Sequence, residues 1–232
     1  MGGAGGPAPT VAVDVAVFTV ASGALHLLLV QVQRGAFRGE WALPGGRVGL
    51  DESLDDAARR ELAAQAGIGD VYLEQLYTFG SPRRDPHGRV VSVAYVALTS
   101  DGGLPGDTRG RTKPGAASPR DKYATAAWRR VSRLPPLAYD HQAVVKAALA
   151  RLRAKLTYTN LAYNLLPRAF TLGELQEMYE AILGRRLDRR NFRKKIHSLG
   201  LLRPLAEVRR GSHRPARLHA FQRRRPMIVE IL

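Results

Sequence analysis

The apolar residues of this 232-residue chain follow two different patterns. In the first part they form short runs rich in Val and Leu with turns between them, which is typical of partly buried β-strands. The runs are Val11–Val20, Ala24–Gln33, Val71–Phe79, Arg89–Leu98 and Ala124–Val131. This part of the chain therefore predicts a sheet.

Two helices are predicted among these strands. A glycine turn leads into the first, for which Ser53 is the expected N-cap and Gly67 the C-terminal stop. The second is expected from Asp140, as its N-cap, to Leu156, because apolar residues recur there at helical spacing. The first region thus mixes strands and helices.

After residue 156 the pattern changes to short helices with start and stop signals. A first helix is expected over Thr159–Leu166, ended by Pro167. Thr171 and Glu174 have the spacing of a capping box, which predicts the start of a second helix. Asp188 is the expected cap of a third.

The third helix and the residues after it are basic. Phe192 and Ile196 form one apolar face of this helix, and cationic side chains occupy the others. Two strands, Leu201–Val208 and Leu218–Phe221, then flank a basic turn at 209–217. This order of elements predicts a winged helix-turn-helix, with the third helix in the major groove of DNA and the hairpin on the phosphate backbone.

The charge distribution supports a polyanionic partner. The formal net charge is +16, and residues 151–232 carry 19 basic and 6 acidic side chains against 17 and 14 before them. A concentrated positive field most often serves nucleic acid. DNA is favoured here, and RNA, an acidic protein or an anionic membrane surface stay as alternatives.

Composition limits the cellular compartment and the kinds of segment that the chain contains. The chain has no Cys, which excludes disulfides and thiolate metal sites and suits a reducing cytoplasm. Residues 1–9 lack a basic stretch and are expected to be a disordered tail, not a secretory signal. The uncharged run Val15–Gln33 is broken by polar residues and a turn, so it predicts strands instead of a membrane span. Ser100–Lys122, rich in Gly and Pro, is expected to be a long mobile loop.

The glycine turn and first helix carry a motif. Gly, five residues, Glu, seven residues and Arg-Glu-aliphatic are followed by a Gly-aliphatic pair. The stretch resembles the signature of the Nudix hydrolases, with Ala64 and Gln65 in place of the two adjacent Glu of that signature. The matching positions are Gly46, Glu52, Arg60, Glu61, Leu62, Gly67 and Ile68.

The two replaced positions change the expected chemistry. In the Nudix family the helix presents carboxylates that hold divalent cations, which bridge a diphosphate and generate the attacking hydroxide. Residues 61, 64 and 65 share one helix face, so only Glu61 would offer a carboxylate there. We therefore expect no catalytic residues, no bound metal and no cofactor, in a domain that binds but hardly cleaves, with room left for weak cation binding.

The resemblance also implies an anion-binding surface. Arg38 and Arg47 flank the glycine turn, and two adjacent arginines lie in the turn Ser81–Gly88, in a stretch similar to the ADP-ribose-processing branch of the family. Each arginine is equally well explained as a solvated surface residue. The expected effector contacts are Arg38, Trp41, Gly45, Gly46, Arg47, Glu61, Arg83 and Arg84.

The whole chain, apart from the tail and the 100–122 loop, looks like a Nudix-related transcriptional regulator of NAD metabolism, and residues 158–196 are similar to the C-terminal segment of that family. The resemblance implies an α+β architecture. A mixed-sheet α/β/α Nudix sandwich at 10–156 is followed by a small winged helix-turn-helix at 157–232. The expected DNA contacts are Thr159, Arg189, Arg190, Asn191, Arg193, Lys194, His213, Arg214 and Arg217.

The implied function is repression of NAD biosynthesis or salvage genes in the cytoplasm. A homodimer would bind an inverted-repeat operator, and ADP-ribose or a related nucleotide would release it. Two alternatives stay open: an active ADP-ribose pyrophosphatase with a nucleic-acid tether, and a regulator of sugar catabolism with a sugar or sugar phosphate as effector.

Overall fold

The structure, a computed structural model, describes residues 8–69, 71–100, 123–210 and 215–231. The start of the expected tail, the expected loop from residue 101 and the tip of the basic turn lie outside the described residues. The strands are β1 (Thr10–Ala21), β2 (Ala24–Val32), β3 (Trp41–Ala42), β4 (Gly45–Arg47), β5 (Tyr72–Phe79), β6 (Val90–Leu98), β7 (Tyr123–Arg130), β8 (Phe170–Thr171), β9 (Leu202–Arg209) and β10 (Ala216–Phe221). The α-helices are α1 (Leu54–Ala66), α2 (His141–Tyr158), α3 (Leu172–Leu183) and α4 (Arg189–Ser198), with 3₁₀ turns at Val131–Arg133 and Leu161–Asn164.

The first seven strands form one mixed sheet around β1. The order is β3-β2-β1-β6-β5, with β4 paired to β1 and β7 paired to β2. β1 is parallel to β6 and antiparallel to β2 and β4. The central position of β1 explains its long apolar run, since both of its faces are covered.

Successive residues of β1 face opposite layers of the sandwich. Val13, Val15 and Val17 belong to the core under α1, whereas Ala16 and Phe18 belong to the core on the other side, with α2 and α3. The expected α/β/α sandwich with a mixed sheet is therefore confirmed.

The expected caps of α1 are confirmed. The Ser53 hydroxyl accepts a hydrogen bond from the Asp56 N–H, and Gly67 ends the helix in the left-handed region at φ 64°. At α2 the expectation was only half right. Asp140 precedes the helix, but its carboxylate makes no capping hydrogen bond. It is taken by a buried arginine, described below.

The winged-helix elements form as predicted. Thr171 and Glu174 make a complete capping box at the start of α3, and Asp188 accepts from the Asn191 N–H at the start of α4. The hairpin of β9 and β10 is extended by β8, in the order β8-β10-β9. Phe192 and Ile196 of α4 are buried against α3, where the rings of Phe192 and Tyr179 lie 5.3 Å apart.

The expected helix over Thr159–Leu166 is wrong. Thr159 is extended and bridges Ile228, and only a single 3₁₀ turn follows at Leu161–Asn164. The cause is a contact distant in sequence, because the Asn160 amide donates to the Arg225 carbonyl and accepts from the Met227 N–H.

The two domains share one continuous core. α2 runs past the expected boundary at residue 156 to Tyr158, and the buried residues of α3 join those of β1, β2 and α2. The Arg153 side chain on α2 donates to the Ile182 carbonyl on α3 at 2.9 Å. Among the described residues, no helix has the length and apolarity that crossing a membrane requires.

Candidate functional site

The glycine turn before α1 is a place of close approach. Gly45 lies so near the Val13 carbonyl that an added Cβ would overlap it, and a Cβ on Gly46 would overlap the Glu61 carboxylate. Gly45 therefore requires glycine, and a side chain at Gly46 would have to displace the Glu61 carboxylate. The turn brings a backbone segment directly against the first carboxylate of the Nudix helix.

Arg60 is the centre of a charged network on α1. Its guanidinium donates to both oxygens of Glu52, at 2.7 and 2.9 Å, and to Oε1 of Glu61 at 2.6 Å. A further donor meets the Arg47 carbonyl at 3.1 Å. Hydrogen bonds from Arg60 and from the Gly49 N–H lower the pKa of Glu52 to about 2. The Glu52 and Glu61 carboxylates thus share one cation of the protein itself, Arg60.

The Gln65 amide bonds the backbone of the glycine turn and the second oxygen of Glu61. Its Nε2 donates to the Gly45 carbonyl at 2.8 Å and to Oε2 of Glu61, while its Oε1 accepts from the Gly45 N–H at 3.2 Å. A glutamate at this position would have no N–H to donate and would repel Glu61. The described residues contain no group of three or more His, Asp or Glu side chains that could hold a metal ion.

The expected effector contacts differ in how exposed they are to solvent. Arg38, Arg47 and Arg83 are exposed to solvent. Trp41 is half-buried, and the Arg129 guanidinium lies over its ring at 4.6 Å from the centroid. The structure thus leaves three cations free to meet an anion near the glycine turn and the turn at 81–88.

Arg84 lies elsewhere than expected. Arg84 is only 6% exposed, and its guanidinium donates to Asp140 through Nε and Nη2 and to Asp14 through Nη2 at 2.8 Å. The surface position assumed for it is therefore corrected: the charge of Arg84 is already met by two carboxylates.

Asp14 joins these residues into a buried network that the sequence analysis missed. It accepts from the Ser92 hydroxyl at 2.6 Å and lies 3.2 Å from His141 Nε2. Burial alone would raise the pKa of Asp14, but His141 and Arg84 together hold it well below its usual range. A lone carboxylate inside an apolar strand was the signal available, since a buried charge needs a partner.

The DNA-binding prediction rests on α4. Arg189, Arg190, Asn191 and Lys194 are exposed, and Arg193 is half-buried. Arg190 and Lys194 lie one turn apart on the face opposite Phe192 and Ile196. His197, which was absent from the predicted set, lies three residues beyond Lys194 on that same exposed face.

The expected DNA contacts outside α4 differ in their exposure to solvent. Arg217 on β10 is exposed. His213 and Arg214 lie outside the described residues. Thr159 is corrected, because it is 9% exposed and its hydroxyl donates to the Lys155 carbonyl at the end of α2, so it does not form part of the surface.

Comparisons with known proteins match both halves of this architecture. The model of the NUDIX domain matches residues 8–148, and that of the NrtR DNA-binding winged helix domain matches residues 162–221. The ADPR responsive transcriptional repressor NtrR of Acinetobacter baylyi is 36% identical, over 93% of this chain and 83% of its own length.

Solved structures agree. Shewanella oneidensis NrtR in complex with a 27mer DNA is 32% identical with a TM-score of 0.77, covering 91% of this chain and 93% of that one. The Nudix domain of the same protein in complex with ADP ribose is 33% identical with a TM-score of 0.54, covering 63% of this chain and 90% of that one.

Proposed function

This chain belongs to the Nudix-domain regulators that carry an NrtR-type winged helix, and we propose that it represses NAD biosynthesis or salvage genes until ADP-ribose or a related nucleotide releases it from DNA. The observation that carries the proposal is the surface of α4. Asp188 caps its start, Phe192 and Ile196 are buried on its inner face, and its outer face presents cations that no carboxylate of the described residues neutralises. Such a helix is suited to base edges and phosphates in the major groove.

The Nudix domain contributes binding and not cleavage. A divalent cation at α1 would meet one carboxylate, Glu61, whose two oxygens are already held by Arg60 and Gln65. Cation catalysis stabilises transition-state charge by several kcal/mol, and that contribution is lost without a site for the metal. ADP-ribose would then bind and leave intact.

The effector is expected to bind around the exposed arginines. Arg47 ends β4 at the glycine turn, Arg38 and Arg83 lie on loops, and all three are exposed and can approach a diphosphate. The two complexes of Shewanella oneidensis NrtR, one with DNA and one with ADP ribose, support both halves of the proposal. A sugar phosphate offers a single phosphate to these arginines and is the weaker candidate.

The protein is expected to act as a homodimer in the cytoplasm, where its operator is found. A two-fold dimer requires an inverted repeat whose half-sites lie about one helical turn, or a multiple, apart. The resemblance of residues 158–196 to regulators of NAD metabolism supports the proposal that it controls NAD genes.

The test uses the genomic DNA upstream of the NAD genes of the source organism. Footprinting with the full-length protein should show protection of an inverted repeat there, and ADP-ribose should remove the protection. Absence of any protected inverted repeat upstream of those genes, or protection that a sugar phosphate removes and ADP-ribose does not, would reject the proposal.

A further inference from the structure

The first residues of α2 connect the loops of the Nudix domain to the winged helix. We propose that Tyr139, Asp140 and His141, here called the α2 junction, transmit effector occupancy to the DNA-binding domain. The inference rests on the proposed function, because it names the route by which the effector would act. Each of the three residues contacts a different loop. A displacement of these residues would move α2, which in turn contacts α3.

Tyr139 ties the junction to the loop that carries Arg38. Its ring packs on Phe37 with centroids 4.5 Å apart and on His141 at 5.1 Å. Its φ is +57°, in the left-handed region that a bulky residue rarely adopts. Such strain persists only where surrounding contacts impose it. A displacement of Phe37 would therefore allow the Tyr139 backbone to leave the left-handed region.

Asp140 ties the junction to the turn at 81–88. Its carboxylate holds the Arg84 guanidinium through contacts of 2.8 to 3.2 Å, and the next residue back, Arg83, is exposed to solvent. A ligand that draws Arg83 outward would also pull on Arg84. The ion pair would then pass that displacement to the start of α2.

His141 ties the junction to the segment before the glycine turn. Its Nδ1 accepts a hydrogen bond from the Leu43 N–H at 2.9 Å, which places the ring proton on Nε2, facing Asp14 at 3.2 Å. Leu43 lies between Trp41 and the glycine turn. All three regions of the expected effector surface therefore meet at consecutive residues.

The far end of α2 is fixed to the winged helix. The helix has 18 residues, about 27 Å of length. Val144, Ala148, Leu152 and Leu156 are buried along it, so it moves as one body. Near its end, the Arg153 side chain donates to the Ile182 carbonyl of α3, and the Tyr158 carbonyl accepts from the Val229 N–H of the C-terminal segment. A tilt set at the junction therefore displaces the winged helix.

A second ion pair on α2 provides a matched control. Glu74 on β5 pairs with Arg151 and Lys155, nearer the end of the same helix. Glu74→Gln and Asp140→Asn each replace a carboxylate that holds α2 to the sheet side. Only Asp140 is linked to a loop of the expected effector surface, so the two variants separate coupling from general loosening of the helix.

The test is a linkage measurement on the full-length protein. The probes are ADP-ribose and a DNA duplex that the wild-type protein has selected from random sequence. Calorimetry gives the factor by which saturating duplex weakens ADP-ribose binding, expected to be roughly 5- to 150-fold in the wild type. Asp140→Asn should reduce this factor to less than about a third, with each separate affinity changed less than about threefold. Glu74→Gln should keep it.

Tyr139→Gly is the second variant, since glycine adopts the left-handed conformation without strain and lacks the ring that packs on Phe37. Tyr139→Gly should also reduce the factor by which duplex weakens ADP-ribose binding. It replaces Asp140→Asn in the test if that variant fails to fold. Full wild-type linkage in every folded junction variant, or an equal loss in Glu74→Gln, would overturn the inference.

A readout without ADP-ribose separates this inference from the proposed function. Binding of the duplex alone should change hydrogen exchange at 34–43 and 81–88 in the wild type and in Glu74→Gln. Asp140→Asn should lose the change at 81–88, the turn that its ion pair holds. If ADP-ribose showed no linkage in the wild type, the proposed effector would fail while this exchange pattern still supported the junction. Unchanged exchange at both loops in the wild type would reject the junction.

Discussion

α1 and α4 both carry exposed arginines, and the two helices use them in opposite ways. On α1, Arg60 is satisfied by Glu52 and Glu61 through hydrogen bonds of 2.6 to 2.9 Å. On α4, the described residues give one ion pair, a long contact of 4.0 Å between Lys195 and Glu230. Arg60 of the first helix is paired with carboxylates of the protein, whereas the second helix leaves its cations for an external anion.

The difference lies in which charged groups each helix leaves without a partner. A Nudix helix attracts cations because adjacent carboxylates repel each other and need a metal. In this protein the Gln65 amide and the Arg60 guanidinium donate to the Glu61 carboxylate, where a metal ion would otherwise bind. α4 has almost no carboxylates, so its cations remain available for phosphates, whose bound counterions are released on binding.

The largest expected effect is on α4. Arg190→Glu should weaken binding of the selected duplex by about 100-fold or more, because it removes a cation from the exposed face and places a carboxylate against DNA. Anisotropy titrations at fixed salt measure this loss. Arg59→Glu, the same charge change at an exposed residue of α1, is the control and should alter binding less than about threefold. Equal losses in both variants would mean that α4 has no special role.

The next effect is on metal binding at α1. Ala64→Glu combined with Gln65→Glu should raise the affinity for Mn²⁺ by about tenfold or more, because three carboxylates would then share one helix face. Calorimetric titration of Mn²⁺ into both proteins measures the gain. Ala64→Gln, which adds a side chain of similar size without a carboxylate, is the control and should give no such gain. Tight Mn²⁺ binding by the wild type would contradict the account of α1.

A smaller effect is expected on stability. Arg60→Ala should lower the melting temperature by roughly 2–4 °C, because Glu52 and Glu61 lose a shared partner at a partly solvated site. Arg190→Ala on α4 should leave it unchanged, since Arg190 makes no ion pair with the described residues. Thermal unfolding followed by circular dichroism measures both. The comparison fails if Arg190→Ala destabilises the protein as much as Arg60→Ala does.

The smallest effect is the pH dependence of that difference. The pKa of Glu52 is lowered to about 2 by Arg60 and the Gly49 N–H, so its contribution to stability is present above its ordinary pKa and is lost as the pH falls toward 2. The stability gap between wild type and Arg60→Ala should therefore narrow from pH 5 to pH 3 in urea denaturation. A gap that widens over this range would show that the pairing has been assigned wrongly.

Local signals explain what the sequence predicted well. The Ser53 cap, the capping box of Thr171 and Glu174, and the Asp188 cap each involve residues three apart, so spacing alone identifies them. The strands follow from runs of apolar residues. The distribution of charge on α4 could likewise be read from helical spacing.

Long-range contacts explain what it did not predict. Arg84 reaches Asp14 and Asp140 across 70 and 56 residues of sequence, and no local pattern distinguishes it from the exposed Arg83 beside it. The lost helix after Thr159 depends on residues 225–227, which pair with Asn160. Similarly, α3 looked like part of a separate domain until its apolar face was found against β1 and β2.

The central claim is that one domain binds a nucleotide without cleaving it and thereby releases the other from DNA. The most direct measurement is anisotropy of the labelled selected duplex with saturating protein and Mg²⁺, titrated with ADP-ribose, followed by chromatography of the nucleotide. We expect the anisotropy to fall to that of free duplex and the nucleotide to be recovered as ADP-ribose. Anisotropy that ADP-ribose leaves unchanged, or release that appears only as AMP and ribose 5-phosphate accumulate, would contradict the claim.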